Sequence, residues 1–226
     1  MFQDSDRAAD RDRMLVEIRA LFRLTAVETG IGEVPPDVVK ALRRVPRHRF
    51  VPEQEQAFAY ADTPLPIGKG QTISQPYIVA LMTALLRLSG NDKVLEIGTG
   101  CGYQTAVLAE LAAQVFSLEV VQPLAETAAQ RLADLGYYNV RVRNGDGFAG
   151  WAEEAPFDGI IVTAAAPELP IVLLEQLKTG ANLVIPLDRG PGQILSVLHK
   201  RADGDVEERD VLPVAFVPMV RGRRKV

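Results

Sequence analysis

The sequence is poor in several kinds of residue, and each shortage excludes a class of protein. Its only cysteine, Cys101, has no partner for an internal disulfide, so a disulfide framework is excluded and a reducing compartment is expected. Basic residues are not in excess, because 25 lysines and arginines stand against 29 acidic residues and give a net charge of −4. The overall charge therefore gives no reason to expect a nucleic-acid partner.

Long apolar runs are also missing. No run approaches the roughly 20 residues that a membrane helix needs, and residues 1–12 lack the apolar core of a signal peptide. We therefore expect a cytoplasmic protein with no membrane partner. The tail at residues 221–225 is locally basic and is expected to be solvated and frayed. A chain of 226 residues can bury a core without metal or disulfides, and no metal site is predicted.

A glycine-rich stretch is the strongest signal in the chain. The apolar run 93–97 leads into glycines at positions 98, 100 and 102, and a helix-compatible segment begins at residue 104. This pattern predicts a strand, a tight loop and a helix, with glycines where the backbone bends or approaches a ligand. A dinucleotide fingerprint would require glycine at position 103, where Tyr103 stands, so a nicotinamide dehydrogenase is disfavoured. Glycines that only let the helix pack closely on the sheet are the alternative.

Two acidic residues follow at positions suited to a nucleoside ligand. Glu119 ends the predicted second strand, about 20 residues beyond the glycine loop, where a carboxylate accepts hydrogen bonds from ribose hydroxyls. Asp146 stands between Gly145 and Gly147 and could accept a hydrogen bond from an adenine amino group. An ordinary aspartate turn is the competing interpretation of Asp146.

Residues 60–76 are too rich in proline and glycine for a regular element, and such a stretch inside a compact domain indicates a functional loop. Its end carries side chains that form hydrogen bonds, namely Gln71, Thr72, Ser74 and Gln75. Ser74 also stands where it could cap the helix that begins at Pro76. The two roles of Ser74 are compatible.

The apolar periodicity predicts alternating strands and helices over most of the chain. Helices are predicted at residues 7–28, 36–44, 76–88, 104–111, 122–135 and 168–177. Strands are predicted at 93–97, 114–119, 139–143, 157–162 and 182–186, followed by a hairpin of 193–200 and 209–217. Five alternating units indicate a parallel α/β sheet, and the hairpin would add an antiparallel edge. His48 and His199 are expected to be structural.

Four stretches together resemble one family, the protein-L-isoaspartate O-methyltransferases. The pattern Glu-x-Gly-x-Gly-x-Gly at 96–102 resembles motif I of methyltransferases that use S-adenosylmethionine. Residues 145–160 resemble the family signature throughout, and the stretches 64–76 and 216–219 also resemble the family. The resemblance implies a Rossmann-like fold and the transfer of a methyl group from S-adenosylmethionine to the free α-carboxyl of L-isoaspartyl residues in damaged proteins and peptides. The ester then collapses to a succinimide, which begins repair.

The resemblance also implies the site residues. Ser74 is the implied active-site residue, and Thr72 and Ser74 are expected to orient the substrate carboxylate, with Val214 and Val217 in an extended segment that pairs with the peptide. The implied cofactor positions are Gln71, Thr72, Ile73, Ser74, Glu96, Gly98, Thr99, Gly100, Gly102, Glu119, Asp146 and Gly147.

One methyltransferase domain is expected over residues 1–226. Within it we expect an N-terminal helical cap at 1–52, a substrate and cofactor loop with a helix at 53–92, and the Rossmann-like core at 93–226. Because large substrates need an open cleft, a monomer is expected. A methyltransferase of the same fold acting on a small molecule or RNA is the alternative, and a binding protein without catalysis is disfavoured because Ser74, Glu119 and Asp146 are intact.

Overall fold

The computed structural model describes residues 7–222. Residues 1–6 and the tail residues 223–225, which were expected to be solvated and frayed, lie outside the described residues. The strands, in chain order, are β1 (Leu65–Gly68), β2 (Gln71–Ile73), β3 (Lys93–Ile97), β4 (Gln114–Glu119), β5 (Val140–Asn144), β6 (Phe157–Val162), β7 (Leu177–Arg189), β8 (Gly192–Lys200) and β9 (Val206–Val214).

Seven of these strands form the central sheet, in the order β5-β4-β3-β6-β7-β8-β9. The first five in that order run parallel, and β8 and β9 add antiparallel strands at one edge. The mostly parallel α/β sheet with an antiparallel C-terminal hairpin is thus confirmed. Because β3 lies between β4 and β6, the strand order reverses there, which opens a crevice at the carboxyl ends of these strands.

Helices cover both faces of this sheet and also form an N-terminal layer. They are α1 (Ala8–Leu24), α2 (Ala26–Thr29), α3 (Pro36–Arg44), α4 (Pro76–Leu86), α5 (Tyr103–Ala109), α6 (Gln122–Asp134) and α7 (Ile171–Glu175). The predicted helix 7–28 is interrupted at Thr25, whose hydroxyl donates to the Leu21 carbonyl at 2.9 Å. A hydroxyl that bonds to the backbone in this way competes with the helical pattern.

The sheet is apolar on both faces because consecutive side chains of its central strands point to opposite sides. On one side Val94 joins a cluster that also contains Met14 of α1 and Leu81 of α4. On the other side Leu95 joins Phe157 in a second cluster. The first cluster takes side chains from the three expected segments 1–52, 53–92 and 93–226, so these segments share one core.

Several predicted boundaries are wrong, for identifiable reasons. Residues 60–76 contain a small antiparallel hairpin, β1 with β2, which Pro64 and Pro66 and the glycines at its turn had concealed. The helix predicted at 168–177 is only α7, because Pro170 immediately precedes it. The last strand is β9, which ends at Val214 rather than at residue 217.

Asp62, and not Ser74, supplies the side-chain cap of α4. Its Oδ1 accepts a hydrogen bond from the Tyr77 amide at 2.8 Å, and its Oδ2 accepts one from Gln75 Nε2 at 2.6 Å. The first residues of a helix leave unpaired amides, which a carboxylate satisfies well. The capping alternative for Ser74 is therefore wrong, and its hydroxyl is available for other contacts.

Both histidines are structural, as expected. His48 is buried and its Nδ1 lies 2.9 Å from the Tyr60 hydroxyl, while His199 Nδ1 lies 2.8 Å from Asn182 Oδ1. Arg221, at the beginning of the basic tail, is exposed, and its guanidinium lies 4.4 Å from the centre of the Phe148 ring. Among residues 7–222, no helix is both long enough and apolar enough to span a membrane.

Candidate functional site

A cleft opens at the carboxyl ends of β3, β4 and β6, where the strand order reverses. Six of the predicted cofactor residues line it: Gln71, Thr72, Gly98, Gly100, Glu119 and Gly147. Ile97, Leu118, Val120 and Val121 give it an apolar floor. An apolar cleft with a few fixed polar groups is the usual form of a cofactor site.

Gly98 lies where the chain leaves β3, and its backbone has a φ of +98°. A Cβ added there would lie 2.4 Å from Thr163 Oγ1, so no other residue fits without movement. Thr163 Oγ1 donates to the Gly98 carbonyl at 2.6 Å and to the Ile97 carbonyl at 3.1 Å. The glycine loop is thus tied to the carboxyl end of β6, which keeps the cleft open beside it.

Gly147 closes the opposite side of the cleft. A Cβ there would lie 2.3 Å from Ile97 Cγ2 and 3.0 Å from Met219 Cε. Met219 is held in place because its amide donates to the Ala165 carbonyl at 2.7 Å. The segment 218–220 therefore forms part of the cleft wall.

Glu119 is almost fully buried at the end of β4 and uses both carboxylate oxygens. Its Oε2 accepts a hydrogen bond from the Gly100 amide at 2.8 Å, and its Oε1 accepts one from the Val121 amide at 2.9 Å. Each oxygen retains a second lone pair. Glu119 therefore supports the glycine loop and can also accept a ribose hydroxyl.

Glu96 lies beneath the glycine loop and does not line the cleft, since its side chain points toward α5. Its Oε2 accepts hydrogen bonds from Ser117 Oγ at 2.6 Å and from Thr105 Oγ1 at 2.5 Å. Its Oε1 has no partner among residues 7–222. Burial raises the pKa of Glu96 to about 8, against the lowering effect of the two hydroxyl bonds. A direct contact of Glu96 with the cofactor stays a prediction.

Asp146 forms the aspartate turn that was its competing interpretation. Its Oδ1 accepts a hydrogen bond from the Phe148 amide at 2.9 Å, and it does not itself line the cleft. Gly102 also lies away from the cleft, because it packs against Leu132 of α6. Contacts of Asp146 and Gly102 with a cofactor stay predictions.

Two further cavities adjoin the cleft at Thr72 and Thr163, which line all three. The smaller one lies against the glycine loop and is also lined by Ile73, Ser74 and Thr99. The larger one is an open groove that Ser74 also lines. Ser74 Oγ has no hydrogen-bond partner in the described part of the chain, so it is available to a ligand at the junction.

The outer wall of this groove is the extended segment 213–217, which includes Val214 and Val217. The side chain of Gln193 forms hydrogen bonds with both main-chain polar groups of Phe216. Its Oε1 accepts from the Phe216 amide at 2.6 Å, and its Nε2 donates to the Phe216 carbonyl at 3.2 Å. The Val217 carbonyl accepts from the Ala165 amide at 2.9 Å. Ala215 makes no main-chain hydrogen bond with the described residues, so its amide and carbonyl remain available.

The groove contains no ionisable side chain among its described lining residues. Its polar groups are the hydroxyls of Thr72, Ser74 and Thr163 and the amide of Gln75. Such a surface suits a polar group that already carries its own charge. It offers no general acid or base of its own.

Thr163 and the segment 218–220 were not among the predicted site residues. Thr163 directly follows β6. In open α/β sheets, ligands bind beyond the carboxyl ends of the strands where the strand order reverses. Thr163 can be predicted from this rule only when β6 is known to lie next to β3. Residues 218 and 219 belong to the stretch 216–219 that resembles the family, but their place in the cleft wall depends on the path of the chain after β9.

The sheet order, the glycine loop and the acidic residue at the end of β4 define the Rossmann-like fold of methyltransferases that use S-adenosylmethionine. The family profile described as "Protein-L-isoaspartate(D-aspartate) O-methyltransferase (PCMT)" matches residues 27–224. The chain belongs to this protein-L-isoaspartate O-methyltransferase family.

Curated relatives carry the same family name. The chain is 52% identical over 221 residues to "Protein-L-isoaspartate O-methyltransferase 2" of Syntrophobacter fumaroxidans, covering 97% of this chain and 89% of the relative. It is 57% identical over 201 residues to the "Protein-L-isoaspartate O-methyltransferase" of a Synechococcus strain, covering 86% of this chain and 81% of the relative. The similarity therefore includes nearly the whole chain, with the site.

Solved structures give the same result. A structure titled protein-L-isoaspartate O-methyltransferase superposes with a TM-score of 0.82 at 27% identity, covering 94% of this chain and 66% of that chain. A putative protein-L-isoaspartate O-methyltransferase of Plasmodium falciparum, in complex with S-adenosyl-L-homocysteine, superposes with a TM-score of 0.74 at 25% identity. That superposition covers 89% of this chain and 97% of the Plasmodium chain.

Proposed function

We propose that this protein transfers the methyl group of S-adenosylmethionine to the free α-carboxyl of L-isoaspartyl residues in damaged proteins and peptides. The observation that carries the proposal is the junction at Thr72, where the cofactor cleft meets an open groove that holds the unpartnered Ser74 hydroxyl. Membership of the isoaspartyl methyltransferase family supports the same reaction. The methyl ester then forms a succinimide, through which normal aspartate is partly restored.

The cleft fits the cofactor in shape and in donor chemistry. At Gly98 and Gly147 an added Cβ would clash with the neighbouring cleft residues Thr163 and Ile97, so both positions of the cleft require glycine. Glu119 is placed for the ribose hydroxyls, and Gln71 and Thr72 line the side nearest the groove. Asp146 Oδ2 forms no hydrogen bond with residues 7–222 and can accept one from an adenine amino group.

The residues of the groove position the substrate and do not take its proton. An isoaspartyl α-carboxyl is ionised at neutral pH, so no general base is needed. S-adenosylmethionine, when bound, supplies a methyl group already activated by the sulfonium. Ser74 and Thr72 hydroxyls would donate hydrogen bonds to the carboxylate and hold one of its oxygens in line with the methyl group. Such placement can accelerate a reaction by several powers of ten.

The outer wall of the groove would hold the peptide on either side of the damaged residue. Ala215 offers a free amide and a free carbonyl, so an extended peptide could pair with it as an added strand. Val214 and Val217 would contact the flanking side chains. Because none of the described groove residues is ionisable, we expect little dependence on the charge of those flanking residues.

We also propose that the protein works as a cytoplasmic monomer, without a nucleic-acid or membrane partner. The open groove supports this, because a folded substrate protein must present a loop to it without obstruction. We likewise propose the division into a cap at 1–52, a loop and helix at 53–92, and a core at 93–226. Analytical ultracentrifugation would test the monomer, and a dimer that covers the groove would contradict it.

The reaction is tested with two synthetic peptides that differ only in having an isoaspartyl or a normal aspartyl linkage. We expect label from methyl-labelled S-adenosylmethionine on the isoaspartyl peptide alone, in a form that base releases, as a carboxyl ester requires. If neither peptide is labelled while S-adenosylhomocysteine still binds, the substrate is different. The alternative would then be a small molecule or RNA.

A further inference from the structure

Arg47 is a charged residue among the largest completely buried side chains of the described chain. It is 0% exposed and begins the short 3-10 turn Arg47–Phe50, directly after Pro46. Burying a guanidinium is costly unless its N–H groups find acceptors. The same burial lowers the pKa of Arg47. Neither cofactor binding nor carboxylate orientation, as described above, uses this residue.

The hydrogen bonds of Arg47 join two separate loops. Its Nε donates to the Ala59 carbonyl at 2.7 Å, and its Nη2 donates to the Ser74 carbonyl at 2.8 Å. Both acceptors are main-chain oxygens, so the bonds determine the path of the backbone rather than neutralise the charge. Ser74 is thereby tied to a side chain that solvent does not reach.

The guanidinium also stacks on the first residue of the helix that follows the glycine loop. Its central carbon lies 4.7 Å from the centre of the Tyr103 ring, and Tyr103 is itself 1% exposed. Arg47 Nη1 and the Tyr103 hydroxyl are both buried, and the Tyr103 side chain opposes the lowering of the Arg47 pKa that burial causes. Arg47 thus connects the Ser74 segment with the beginning of α5, next to the glycine loop.

We propose that Arg47 is a positioning residue of methyl transfer, which holds Ser74 at a fixed distance from the cofactor loop. Ser74 lies in the short irregular segment between β2 and α4, where its side chain would otherwise move with the backbone. Asp62 secures the next residue through the Gln75 side chain, and Arg47 secures the Ser74 carbonyl. The Ser74 hydroxyl is then left to the substrate in one defined position.

The planar fork of arginine is what this role requires. A lysine carries the same charge but offers a single ammonium on a flexible stem, which cannot bond to both carbonyls and also stack on Tyr103. The proposal rests on the methyl transfer proposed above. It therefore needs a measurement that separates the placement of Ser74 from both cofactor binding and folding.

The test is a double-mutant cycle of Arg47→Lys with Ser74→Ala, measured with the isoaspartyl peptide. We expect R47K to lower kcat by about tenfold or more, with the Kd of S-adenosylhomocysteine unchanged to within about threefold. We expect the kcat of the double variant to lie within about twofold of the kcat of S74A, because R47K acts only through Ser74. Multiplicative losses of the two substitutions would overturn the proposal.

Lys200→Met is the matched control. Lys200 also donates to two main-chain carbonyls, those of Leu174 at 2.8 Å and Leu177 at 2.9 Å. These bonds lie near the beginning of β7, at the end of the strands that faces away from the cleft. K200M should leave kcat within about twofold of the original protein. A loss of kcat in K200M as large as that in R47K would also overturn the proposal.

Folding and function are distinguished by a second variant. Arg47→Gln removes the charge but retains an amide donor, so it can be used for the same cycle if R47K does not fold. Failure of both variants to bind S-adenosylhomocysteine would contradict a local role and overturn the proposal. If the original protein itself does not methylate the isoaspartyl peptide, that result contradicts the proposed function. It is distinct from a failure of Arg47 to act through Ser74, which the cycle measures in an active protein.

Discussion

Gly98 and Thr163 approach each other closely in the site. The space between them is too small for a methyl group, since a Cβ at Gly98 would lie 2.4 Å from Thr163 Oγ1. We expect Gly98→Ala to displace the glycine loop and to weaken S-adenosylhomocysteine binding by about tenfold or more. Isothermal titration calorimetry would measure the change.

Gly180→Ala is the control for backbone strain. Gly180 has a φ of +84°, similar to that of Gly98, but nothing lies within 4 Å of an added Cβ. We expect this variant to lose roughly 1 kcal/mol of stability from the left-handed backbone alone and to bind S-adenosylhomocysteine like the original protein. Equal affinities in G98A and G180A would contradict the assigned role of the close approach.

Glu96 predicts a particular dependence of stability on pH. Burial raises its pKa to about 8 in the folded protein, against an ordinary value of 4.5. The folded chain therefore retains a proton that the unfolded chain releases, so this group's contribution to stability is present at low pH and decreases as pH rises from about 4.5 to 8.

Glu96→Gln should remove this dependence, because a carboxamide is neutral at every pH. We expect the free energy of unfolding of E96Q to rise relative to that of the original protein as pH is raised from 5 to about 8.5. Urea denaturation at a series of pH values gives the comparison. Two parallel pH curves would show that Glu96 is ionised in the folded protein throughout.

At the scale of the elements, the parallel core was readily predicted from sequence. β4 and β6 begin and end where the apolar runs do, because a strand buried on both faces leaves a continuous apolar signal. The hairpin of β1 and β2 was missed because it is held by only a few main-chain pairs, which leave no periodic signal. The bounds of the C-terminal strand were predicted wrongly because β9 is largely exposed. Its sequence therefore has no apolar pattern that marks where the strand begins and ends.

The beginning of α4 gives a prediction at this scale. Asp62 accepts hydrogen bonds from both the Tyr77 amide and the Gln75 side chain. We expect Asp62→Ala to lower the free energy of unfolding by about 1 kcal/mol, the usual loss of a helix cap. Chemical denaturation monitored by circular dichroism would measure it.

Asp203→Ala is the matched control for Asp62. Asp203 Oδ1 also accepts a hydrogen bond, from the Asp205 amide at 3.0 Å, but in an exposed turn away from any helix. Its removal should cost only a few tenths of a kcal/mol. If D62A proved no less stable than D203A, the capping role of Asp62 would be wrong.

At the scale of the whole molecule, the sequence predicts the residues that line the cleft better than the buried residues that hold the surrounding loops in place. Glu119 and Gly98 were recognisable because they lie at fixed offsets from apolar strands, and the order of the strands then brings them together. Arg47 carried no such signal, because it lies 27 residues from the Ser74 carbonyl that it bonds. Contacts between distant loops depend on the packed fold, which periodicity does not describe.

Two cavities with different roles meet near the carboxyl ends of the parallel strands. The cleft beside the glycine loop is suited to a nucleoside cofactor, and the groove along 213–217 is suited to an extended peptide. Thr72 and Thr163 line both, and Ser74 lines the groove and the small cavity that adjoins the cleft. The central claim is that the carboxylate of a damaged residue binds at this junction, oriented by the Ser74 hydroxyl.

A crystal structure with S-adenosylhomocysteine and an isoaspartyl peptide tests this claim most directly. We expect the isoaspartyl carboxylate within hydrogen-bond distance of Ser74 Oγ, with the peptide backbone paired to Ala215. A peptide bound outside the groove, or a carboxylate held by other residues while Ser74 Oγ contacts neither ligand, would contradict it.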